Sequence, residues 1–223
     1  MKTFLILSIF VINTASCQIQ VPEKNISKNY MLQSDILAAV NEADINAVKI
    51  ALAGGADVNT CDENGRSLLL IATNNKQAEL SKILIEHGAD VNLQAKNLDS
   101  PFLYAGASGQ LELVKLYLAH GARFDIFNRY NGTALIPACE RGHVETVRLL
   151  SSTKGFPINH VNRLGWTALM EAVILGDGTA RYQEIVKILK EAGADVNIPD
   201  HDGVTALKHA QKKGFDKIAQ LLK

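Results

Sequence analysis

Between residues 111 and 150 the chain alternates apolar and polar positions with a helical beat. Leu111, Leu113, Val114, Leu116, Tyr117 and Leu118 stand against Glu112 and Lys115, and Val144, Val147, Leu149 and Leu150 stand against Glu145 and Arg148. Apolar residues recurring at spacings of three and four predict amphipathic helices with one buried face. A shorter helix is predicted upstream of each, over residues 133–143 and 167–173, where alanines let paired helices approach closely. Thr133, Thr167 and Thr205 are placed to cap the starts of such helices, because a threonine oxygen can accept an otherwise unpaired N–H of the first turn. Gly142 suits the end of one, where the backbone turns left-handed. Two residues cut against the pattern: Pro137 lies inside a first helix, and Lys76 occupies the place that glycine takes in other pairs.

The helix pairs recur. The pentapeptide Gly-Ala-Asp-Val-Asn begins at Gly55, Gly88 and Gly193, the first two 33 residues apart, and Gly121 opens a variant of it another 33 residues on. Gly155-Phe156-Pro157-Ile158-Asn159 arrives one residue late, and the next pentapeptide begins 38 residues later, five more than the period. Those extra residues fall between Gly176 and Ile185, where Asp177-Gly178 is a turn signal, so a protruding inter-helix loop is predicted there. Asp57, Asp90 and Asp195 recur with the repeat and are read as turn residues that accept backbone hydrogen bonds.

A period of 33 built from a turn, a short helix and a longer helix resembles the ankyrin repeat. The resemblance covers residues 34–223 as six units, 34–61, 62–94, 95–128, 129–161, 162–199 and 200–223, the first and last acting as caps with polar outer faces such as Asp35, Glu42, Lys212 and Gln220. It implies an all-α solenoid of helix-turn-helix units joined by β-turns, with no catalytic residue, metal site or cofactor. It also implies a monomer that binds another protein, not nucleic acid, through a concave surface of turn tips and first helices. Carried onto this sequence, the contact positions of the fourth and fifth units hold Arg129, Tyr130, Arg141, Arg163, Leu164, Trp166, Ile174 and Leu175. These are rich in the Trp, Tyr and Arg that dominate interface energetics, whereas the second and third units carry mostly small or polar residues there.

Composition and charge change this picture little. Lys and Arg together number 23, as do Asp and Glu, so no net charge recommends a nucleic acid or an anionic membrane. The sequence shows no GxSxG, HExxH or phosphate-cradling glycine loop. His87 and His120 share one register position and recur because the unit recurs. Cys61 and Cys139 fall at different repeat positions more than two periods apart, beyond the reach of a disulfide, and Cys139 reads as a small buried hydrophobe.

The N-terminus sets the compartment. Residues 1–17 combine a basic start, an apolar run from Phe4 to Ile12 and a small-residue close at Ala15-Ser16-Cys17, which reads as a secretory leader. Cys17 also stands where a lipobox cysteine would be acylated, so the leader ends either in a lipid anchor or in simple removal. Residues 18–33 are polar and aperiodic, a linker. The chain therefore resembles exported bacterial ankyrin proteins of the periplasm or envelope, some of which act beside a partner enzyme. An exported effector whose repeats engage a host protein is the alternative.

Overall fold

In the computed structural model residues 33–223 are described; the leader with Cys17, and the linker up to residue 32, lie outside them. Among the described residues twelve helices follow in pairs: α1 (33–41) and α2 (Ile45–Ala53); α3 (Leu68–Asn74) and α4 (Ala78–Glu86); α5 (Pro101–Ala107) and α6 (Leu111–Ala119); α7 (Leu135–Glu140) and α8 (Val144–Ser152); α9 (Ala168–Ile174) and α10 (Ala180–Glu191); α11 (Ala206–Lys212) and α12 (Asp216–Leu221). The described residues contain no strand beyond the isolated bridges Cys61–Ser67 and Pro199–Thr205. First helices stack on first helices and second on second, α3·α5·α7·α9·α11 in one row and α4·α6·α8·α10·α12 in the other. One apolar cluster runs from Ile36 to Leu222, because no unit can bury its helix faces alone and each borrows its neighbour's. The fold is an all-α solenoid.

Serines do much of the capping. Ser67, Ser100 and Thr167 accept the N–H groups of Leu70, Leu103 and Met170 at 3.1, 3.3 and 3.2 Å. Thr205 sits at the N-cap of α11, but its side chain makes no cap bond. Thr133 caps nothing, contrary to the sequence expectation. In α3, α5, α9 and α11 the first helical bond runs to the cap carbonyl, as in Ile71 N–H to Ser67 O. The corresponding donor for Thr133 would be Pro137, which has no N–H, so α7 starts only at Leu135 and the buried Thr133 hydroxyl is left without a partner.

Lys76 does adopt the left-handed backbone of the glycine it replaces, with φ +57°. At the equivalent Gly109 the absence of a side chain has a second use: a Cβ there would collide with the His143 ring of the next unit.

The extra residues of the fifth unit are mostly helix, not loop. α10 has 12 residues where α4, α6 and α8 have 9, and the connection 175–179 is two residues longer than 75–77 or 141–143. Tyr182, inside the lengthened first turn, is buried and donates to the Glu140 carbonyl of the preceding unit at 2.7 Å. The Asp177-Gly178 turn does form, with Gly178 at φ +74° and Asp177 Oδ1 accepting from Thr179 N–H at 3.0 Å, but within a short connection and not a protruding loop.

The pentapeptides form a ladder along the turns. Asp57, Asp90 and Asp195 each accept the N–H two residues on, at 2.8–2.9 Å. Their asparagines reach across to the next unit: Asn59 accepts from Asp90 N–H, Asn92 from Arg123 N–H and Asn159 from Asp195 N–H. The rung between the third and fourth units is missing. There the acceptor position is Asp125, which pairs with Arg123 at 2.7 Å, and the donor position is Pro157, which has no N–H. What crosses this junction is a row of rings, Phe102 to Phe124 at 6.2 Å and Phe124 to Phe156 at 4.9 Å between centroids.

Candidate functional site: a cleft between the fourth and fifth units

Two turns frame the site. Asn128 Oδ1 accepts the N–H groups of Tyr130 and Gly132, both at 2.9 Å, and Asn162 Oδ1 accepts those of Leu164 and Trp166 at 2.9 and 3.0 Å. Arg163 N–H donates to Tyr130 O at 2.8 Å and ties the two tips together. Rigid turns thus hold Tyr130 and Leu164 outward, and Leu175 joins them from the end of α9. These three large side chains remain 47–49 % exposed around one cleft of about 240 Å³. Ile136 and Pro137 of α7 complete its apolar walls.

The floor is acidic. Glu140, at the end of α7, and Glu171, in the middle of α9, both line the cleft. Glu171 is only 4 % exposed; its Oε1 accepts from Asn162 Nδ2 at 2.9 Å. Burial pushes its pKa up to about 7, the charge of Glu140 adds to the rise, and the Asn162 amide opposes it. Next to it the Cys139 thiol is fully buried and pushed well above its usual range, first by burial and then by the Glu171 charge, which makes it an inert core group. No group of three His, Cys, Asp or Glu among the described residues is placed to hold a metal ion.

The sequence matches the family described as Ankyrin repeats (3 copies) over residues 36–128 and 102–200. The chain belongs to the ankyrin repeat family. It is 38 % identical over 191 residues to the ankyrin repeat protein YahD of Escherichia coli (strain K12), covering 86 % of this chain and 95 % of that one. A crystal structure of an ankyrin repeat domain from Acinetobacter baumannii AYE superposes with a TM-score of 0.81 at 48 % identity, over 86 % of this chain and 96 % of that one. A second solved ankyrin repeat protein gives 0.82 at 43 % identity, over 84 % and 96 %. Ankyrin repeats are in general non-catalytic modules that bind other proteins.

Within this ankyrin domain the eight residues expected at the contact surface divide. Tyr130, Leu164 and Leu175 line the cleft. Arg129 lies over the Tyr130 ring, 5.0 Å from its centroid, and 4.0 Å from the Asp99 carboxylate. Arg163 is exposed on its turn tip. Arg141 donates to Ala107 O at 2.8 Å and borders a different hollow with His143 and Arg181. Trp166 and Ile174 are half-buried and pack against the core. Glu171 escaped the sequence reading. Its signal was a lone charge in the otherwise apolar run 168–174, nine residues after a turn amide, a spacing repeated by Asp200 and His209, whose side chains meet at 2.7 Å.

Proposed function

We propose that this ankyrin protein is a non-catalytic interaction module that grips a partner protein through the concave cleft of its fourth and fifth units. We further propose that it acts in the cell envelope, exported by its leader and either anchored through Cys17 or released there. One observation supports the binding site: Tyr130, Leu164 and Leu175, contributed by two turns and a helix end, converge on a single cleft, whereas the exposed apolar residues Ile50, Leu98 and Val161 do not line it. The test places a photo-crosslinking side chain at position 164, and in parallel at position 50, of the full chain in its native cells. A protein captured from 164, not from 50, and lost when Tyr130→Ala is added, is the expected result. Equal capture from both positions places the interface elsewhere. Metabolic labelling with a palmitate analogue separates the anchored form from the released one.

A further inference from the structure

The cleft holds two carboxyl groups and no cation. Neither Glu140 nor Glu171 forms an ion pair among the described residues. The nearby arginines are committed elsewhere or point out: Arg129 to Tyr130 and Asp99, Arg141 to a backbone carbonyl, Arg163 into solvent. Glu171 is more than nine-tenths buried, lines the cleft, and among the described residues receives its hydrogen bond on Oε1 and none on Oε2. A carboxyl so placed is costly when ionised, and it either keeps its proton or awaits a positive group. The cleft has room for about eight waters at ~30 Å³ each, enough for one long side chain and too little for a helix.

We infer that this cleft is the receptor for one basic side chain, lysine or arginine, carried by the partner protein, its methylenes lying against Tyr130, Leu164 and Leu175 and its charge meeting Glu140 and Glu171. Both residue types suit this mixture of walls and floor, because each buries an apolar stem while its cationic head seeks a carboxylate. An acidic or phosphorylated side chain is repelled by the same floor. A purely apolar side chain leaves Glu171 shut away from water with no counter-charge, which is the most expensive arrangement. Binding of a cation also draws the proton off Glu171, so the pairing becomes charge-assisted.

The inference rests on the concave-surface reading above, and the two are separable. Methyl spectra of the full chain are recorded while N-acetyl-arginine amide, N-acetyl-lysine amide or N-acetyl-norleucine amide is added. The expected result is saturable shifts of Leu164 and Leu175 with the two basic amides, at millimolar dissociation constants and weakened by salt, and none with the norleucine amide. Glu171→Gln and Glu140→Gln, the first of which keeps an acceptor for Asn162, should each weaken the basic amides roughly tenfold, corresponding to the loss of one charge-assisted contact. Equal shifts from the norleucine amide, no shift from the basic amides, or undiminished binding by the Gln variants overturns it. If crosslinking from position 164 survives the double Gln variant but not Tyr130→Ala, the module reading stands and the basic side chain is excluded; loss with the double variant supports both.

Discussion

Glu171 links the cleft to stability. Its carboxyl keeps a proton up to about pH 7 when folded but only to about 4.5 when unfolded. Between these values the folded chain holds a proton that the unfolded chain has lost, so its contribution is complete below the unfolded value and disappears as pH rises through the folded one. Discounted for the access of Oε2 to the open cleft, the loss is on the order of 2 kcal/mol. Urea unfolding at about pH 5 and about pH 8 should show the wild type losing stability relative to Glu171→Gln at the higher pH; parallel behaviour of the two proteins sinks this account. Trp166 works the other way. Because it packs on the core, Trp166→Ala is expected to cost about 2 kcal/mol of unfolding free energy, read as a lowered denaturation midpoint. An unchanged midpoint with loss of the 164 crosslink would return Trp166 to the binding surface. The sequence shows where the contact positions fall but not which way an indole ring turns, since neighbouring units decide that. The exposure of Tyr130 and Leu164 was legible because turn tips face solvent in every unit, and that of Leu175 because it follows the last turn of a first helix. Glu171 was not, because its slot holds the uncharged Ile71, Tyr104 and Pro137 in the second, third and fourth units, and only His209 of the last unit is polar and titratable there.

At the scale of helices, the repeat made most of the fold readable, since a period of 33 places every helix once one is placed. It failed where one residue changed a single bond. Pro137 deprives Thr133 of the donor that would have closed the first turn, and α7 is the shorter for it. It failed again at the insertion, where a strong local turn signal hid three extra helical residues docked on the fourth unit. Tyr182→Phe removes the hydroxyl that reaches the Glu140 carbonyl and keeps the ring, so it should cost about 1 kcal/mol. That corresponds to a fall of roughly 2–4 °C in the melting temperature of a chain this size. Deleting residues 177–181 should lower it further; a trimmed chain that melts with the wild type would show the insertion to be a free loop after all.

Across the whole molecule the units behave as a one-dimensional stack whose strength is set junction by junction. The junction between the third and fourth units lacks its backbone rung, and the chemistry of the remedy is plain: Pro157→Asp supplies the missing N–H, and Asp125→Asn keeps an acceptor oxygen while releasing it from the Arg123 ion pair. Each change alone should do little, and the pair should raise the melting temperature by more than their separate effects, a coupling visible in a double-mutant cycle. Additive effects would mean the rung does not form. Where that rung would stand the natural protein has the stack of Phe102, Phe124 and Phe156, beside the α5·α7 packing and the Arg141–Ala107 bond, and apolar contact weakens on cooling while hydrogen bonds do not follow it down in the same way. In the cold, then, amide exchange should sort the chain into two blocks that open independently, residues up to about 125 and residues beyond, with the acid-floored cleft riding intact on the second.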